Sequence, residues 1–183
     1  MDKNRIRVRW LTRTAILIAL LIALQWTTAG TQAFAGQYIT GSLVNCILAV
    51  AALFVGLSGG IVVAVLSPFF AFLLGIGPKL FPIIPCIALG NVVFVVVLRL
   101  IAKVKLWRQI LGVIAGAFAK FLTLYLAVVH VFIPLFEKNL KPPQVQTFTA
   151  MFSWPQLVTA LIGGSLALLL LPALNKAVTK PES

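Results

Sequence analysis

The chain has 183 residues, 61% of them hydrophobic, with fifteen Lys plus Arg against three acidic residues and a formal charge of +12. A water-soluble domain of this length cannot hide so much apolar surface, so lipid must be its solvent. The charge does not indicate nucleic acid: the basic residues flank hydrophobic stretches, where anionic head groups and membrane orientation account for them.

Residues 1–13 form a basic arm carrying Lys3, Arg5, Arg7, Arg9 and Arg13. The uncharged run 14–26 follows, so the first membrane span is expected at 10–28. Its hydrophobic part is long and no small-residue cleavage site follows it, so it reads as a retained helix and not as a signal peptide. Ala15, Ala19 and Ala23 recur every four residues, which stacks three small side chains on one helix face. Such a stripe lets another helix backbone approach closely, either within the chain or on a separate membrane protein.

Residues 29–38 are polar, uncharged and rich in small side chains, a loop able to fold back at membrane depth. Span two is expected at 39–57, with Ser58-Gly59-Gly60 as a tight turn into span three at 61–76, which contains Ser67-Pro68. A loop at 77–82 leads to span four, which starts near Pro85 and ends at Leu100, with Arg99, Lys103, Lys105 and Arg108 at its charged exit. Span five covers 110–136, a loop begins at Glu137, and span six covers 152–174. The expected fold is an all-α integral membrane protein of six transmembrane helices. It forms a single membrane domain: basic arm 1–9, six-helix bundle 10–174, tail 175–183.

Six spans put both termini on one side. Eleven basic residues fall on that side and three, Lys79, Lys138 and Lys141, on the other. The asymmetry predicts cytoplasmic termini in a bacterial cell membrane. The loops on the opposite face are longer, so a ligand is expected there. Cys46 and Cys86 both lie in apolar stretches and read as reduced, buried thiols.

Polar side chains within spans need a partner or a cavity. Gln25, Asn45, Asn91, Thr123, His130 and Trp154 fall mostly in the outer half of the membrane. Lys120 lies near the middle of span five, and no span contains an acid to pair with it. It must snorkel, lose its proton, meet carbonyls, or face a wet or anionic site. Thr123 and His130 are expected near its face of the helix.

With no carboxylate in any span and one histidine, the chain lacks the nucleophile–base pair or Mg²⁺ ligands of an intramembrane enzyme. It has no phosphate-binding GxxxxGK[ST] loop and no carboxylate relay for ion coupling. No metal site or cofactor is expected. What remains is a binding subunit driven from elsewhere.

The sequence resembles the substrate-binding S components of energy-coupling factor (ECF) vitamin transporters. The resemblance rests on about six spans, the basic arm, Ala15-x-x-x-Ala19 continued to Ala23, Thr40-Gly41-Ser42-Leu43-Val44-Asn45, Ser67-Pro68 and Gly90-Asn91. It implies capture of a vitamin or its precursor at the outer face. It also implies docking through span one on a transmembrane coupling protein (T component) seated on two cytoplasmic ATPases. The loops 31–38, with Gln37 and Tyr38, and 77–81 would then form the pocket and its lid, with Gln25, Asn45, Asn91, Lys120, Thr123, His130 and Trp154 as substrate contacts. A hydroxymethylpyrimidine or B6-type ring suits these side chains first, and pantothenate second. A stand-alone facilitator or channel, or a non-transporting scaffold, are the other readings.

Overall fold

The computed structural model describes residues 3–28, 33–76, 78 and 80–179, and every regular element among them is helical. Helix α1 is Lys3–Thr28, so the basic arm continues the first span as one helix, about 39 Å long at 1.5 Å per residue. Helix α2 is Ala33–Val50 and winds into a wider π-type turn, Ala51–Val55. Helix α3 is Leu57–Leu73, α4 Ile84–Ile101 and α5 Leu106–Leu124. A second π-type stretch, Tyr125–Phe132, joins α5 to the short α6, Ile133–Phe136. Helices α7, Pro142–Met151, and α8, Trp154–Thr179, complete the chain.

Five helical stretches are long and apolar enough to cross a membrane: Lys3–Thr28, Gly36–Val55, Phe81–Ile101, Leu106–Asn139 and Pro142–Ala177. Helix α3 is apolar but has 17 residues, about 25 Å of helix against a hydrocarbon core of about 30 Å. The protein is an all-helical, multi-pass type of chain.

Three expected boundaries are corrected. The turn between α2 and α3 is at Gly56, whose φ of +113° suits glycine, and not at Ser58-Gly59-Gly60. Gly59 and Gly60 lie buried in α3, because their missing Cβ atoms make room for Val55 and Thr14 at one and Val95 and the Ala52 backbone at the other. Helix α2 has already begun at Ala33, inside the expected first loop 29–38; residues 29–32 lie outside the described residues. The loop after Glu137 contains α7, started by Pro142 at its first position, where a missing N–H costs nothing, and by the Lys141 N–H donating to Gln144 Oε1 at 2.9 Å.

Close packing positions the site. A Cβ on Gly163 of α8 would lie 2.4 Å from Ser42 O and 2.7 Å from Asn45 Cβ, so only glycine lets α2 and α8 meet this closely. On α5, Gly112 and Gly116 lie against the Leu98 and Phe94 carbonyls of α4. Lys120 follows one turn later on the same face. Two apolar clusters result. One contains Leu48, Ala52, Val63, Phe94, Val95 and Leu98, and the other Leu124, Val128, Phe132, Phe148 and Phe152.

Candidate functional site

The α4–α5 packing that brings Gly116 against Phe94 also carries Lys120 into the bundle, where it is 3% exposed. Its ammonium Nζ donates to Asn45 Oδ1 at 2.6 Å and to Asn91 Oδ1 at 2.7 Å. The Phe94 ring centroid is 5.9 Å from it. Among the options open from sequence, Lys120 neither snorkels nor finds an acid: it meets amide oxygens.

Each asparagine is held by its own amide nitrogen. Asn45 Nδ2 donates to Gly41 O at 2.8 Å and to Thr159 Oγ1 of α8 at 3.3 Å. Asn91 Nδ2 points to Ala64 O of α3 at 3.4 Å. One buried knot therefore links α2, α3, α4, α5 and α8. Asn45 and Asn91 are 1% and 2% exposed, so both amides are held inside the bundle.

Above the knot lies a cavity of about 530 Å³, at the end of the bundle opposite the basic arm. Lys120, Asn45 and Asn91 line it together with Gln25 and Thr28 from the end of α1 and Gln37 from the start of α2. Helix α7 and the turn after it contribute Thr147, Phe148, Met151 and Phe152. The Met151 carbonyl accepts from Gln37 Nε2 at 2.9 Å and from Gln156 Nε2 at 3.0 Å, which pins the end of α7 to both α2 and α8. Thr40 Oγ1 donates to Thr28 Oγ1 at 2.7 Å and ties α2 to α1. Gln25 is 8% exposed, and its Oε1 is buried with no hydrogen-bond partner among the described residues.

Five of the expected substrate contacts, Gln25, Gln37, Asn45, Asn91 and Lys120, thus line one space. Tyr38, half-buried, does not border it. Thr123, His130 and Trp154 lie elsewhere too. The inward face steps in fours from Lys120 to Leu124 of α5 and on to Val128 of the π-type stretch, both 0% exposed. Thr123 donates back to Ala119 O of its own helix at 2.8 Å. The π-type winding from Tyr125 changes the rotation per residue, and His130 ends exposed, edge-on to Tyr125 with ring centroids 5.0 Å apart. Trp154 is exposed and stacks on Phe121 at 5.6 Å.

Thr159, Phe148, Met151 and Phe152 are lining residues that sequence reasoning missed. Thr159 had a signal, since it lies one turn before Gly163 and opposite Gly41, where a Cβ would sit 3.0 Å from its Cγ2. No group of three His, Cys, Asp or Glu gathers among the described residues. Cys46 is buried and Cys86 half-buried, and both are free thiols.

The family model of the ECF transporter substrate-specific component matches residues 9–175. No curated protein and no solved structure matches the chain. The family match spans most of the sequence, and the chain belongs to the substrate-specific components of ECF transporters, which are binding subunits of transporters and not enzymes.

Proposed function

We propose that this subunit captures a vitamin or vitamin precursor at the outer face of the bacterial cytoplasmic membrane for ATP-driven uptake. Its partners are a transmembrane coupling protein and two cytoplasmic ATPases. The chain crosses six times, α3 being the shortest crossing, and both termini are cytoplasmic. The excess of basic residues at the end bearing α1's start, the α4–α5 turn and the α8 terminus supports that orientation. The cavity then opens outward, and a heteroaromatic precursor or pantothenate fits its mixture of amide, ammonium and phenyl groups.

The observation that carries this reading is the two-faced character of α1. Thr14, Leu17, Leu21 and Gln25 are buried against the body, while Ala15, Ala19 and Ala23 are exposed. The alanine ridge is therefore free for another helix, and the same helix lends Gln25 to the cavity. Small residues allow the backbone-to-backbone approach that drives association in lipid. Substituting Ala19→Trp blocks that approach without touching the cavity. Uptake into vesicles containing the complete transporter should be lost, while retention of the copurifying ligand by the purified subunit stays at the wild-type level. Joint loss of both would make the ridge a structural feature and overturn the assignment.

A further inference from the structure

The lining of the cavity is unbalanced in two ways. Lys120 is the one lining side chain that can carry a positive charge, and no acidic side chain borders the space among the described residues. An ammonium has three donor protons. Two go to Asn45 and Asn91, and the described residues engage no third. Gln25 brings the opposite imbalance: its Oε1 is an acceptor, buried and without a donor among the described residues. A ligand that met both would be an acceptor at one end and a donor at the other.

We infer that the cavity takes a small monoanionic carboxylate, its acid group on the Lys120 ammonium and one of its N–H or O–H groups on Gln25 Oε1. This rests on the ligand-binding reading above and sharpens it to a chemical class. A permanent cation is disfavoured, because it would meet Lys120 with no carboxylate to offset either charge. A neutral ligand leaves the spare ammonium proton to an uncharged acceptor, which makes the weaker bond. A phosphate ester is disfavoured as well. Its dianion would bring two negative charges to a lining in which Lys120 is the one cationic side chain among the described residues. One charge against one charge is the match that leaves the buried pair neutral.

The test begins with mass spectrometry of the small molecules released from the purified protein. It continues with equilibrium binding of three matched pairs: pantothenate and panthenol, nicotinate and nicotinamide, 4-pyridoxate and pyridoxine. A released carboxylate supports the inference, and a released cation, neutral molecule or phosphate ester overturns it. In any pair that binds, the carboxylate should bind at least about tenfold tighter than its neutral partner. Lys120→Met should bring that ratio close to one. Gln25→Leu supplies an independent arm: the affinity for the carboxylate falls, while the thermal midpoint of the ligand-free protein holds or rises, because an unmatched buried acceptor has been removed. A neutral member that binds as tightly as its carboxylate, or a ratio unchanged by Lys120→Met, overturns the inference and leaves the ligand-binding role standing. If no organic molecule is released and no pair binds, the ligand-binding role itself is overturned, and the inference with it.

Discussion

A lysine ammonium placed at the centre of a bilayer costs on the order of 2.5–3.5 kcal/mol on insertion scales. Lys120 offsets that cost with two charge-assisted bonds of 2.6 and 2.7 Å, to Asn45 and Asn91, each worth about 1.5–3 kcal/mol. Replacing Asn91 with leucine should therefore destabilise the protein by about 2 kcal/mol or more, read as a lower thermal midpoint in detergent. In a Lys120→Met background the same Asn91→Leu change should cost much less, since the charge it served is gone. Equal costs in both backgrounds would mean that the bond contributes nothing to stability. The convergence of these three residues was partly legible in the sequence, because an unpaired lysine and two asparagines in apolar helices must all find partners. Thr123 and His130 misled because both were counted off at regular helical spacing. A threonine hydroxyl can return to its own helix, as it does to Ala119 O, and the π-type winding begins between Lys120 and His130.

At the level of elements, the sequence was most readable where hydrophobic length decided the outcome and least where glycine and proline did. The stretch after Glu137 and Ser58-Gly59-Gly60 read as loop and turn, yet Pro142-Pro143 open α7, and Gly59 and Gly60 lie within α3. In both cases the local signal is ambiguous and packing chooses: proline is accepted at a helix start, and glycine is used where two helices must nearly touch. Gly163 is the sharpest instance. Its substitution by valine puts a Cβ 2.4 Å from the Ser42 carbonyl, which is backbone and cannot swing aside. Helices α2 and α8 must separate, taking Thr159 away from Asn45. Gly163→Val is expected to cost at least the 1–3 kcal/mol typical of overpacking and to weaken ligand binding together with stability. Leu169→Val, on the same helix but 76% exposed, is the control and should change neither. Thermal unfolding and binding measured on both variants check this, and a Gly163→Val protein with normal stability and affinity would show that α8 repacks freely.

For the whole molecule, the decisive feature is what lies beneath the cavity. On the side of the knot facing the basic arm, Leu48, Val63, Phe94, Val95 and Leu98 form part of one apolar cluster, each 0% exposed. Interiors of this kind are close-packed and hold no continuous water path, so a solute resting on Lys120 has no route onward through the bundle. Moving it inward requires either taking that cluster apart or reorienting the whole subunit in the membrane. The first costs far more than a marginally stable fold can supply. The second is comparatively cheap, because the only charged side chain buried among the described residues is Lys120, and two amides already cradle it. Reorientation still exposes polar ends to lipid and needs an energy source, which the partners would provide. The purified subunit alone in vesicles should therefore show no entry of its copurifying ligand above the leak of protein-free vesicles. Adding the coupling protein, the two ATPases and ATP should produce uptake. Ligand equilibration by the subunit alone would mean that the cluster opens on its own, which would favour the facilitator over the driven binding subunit.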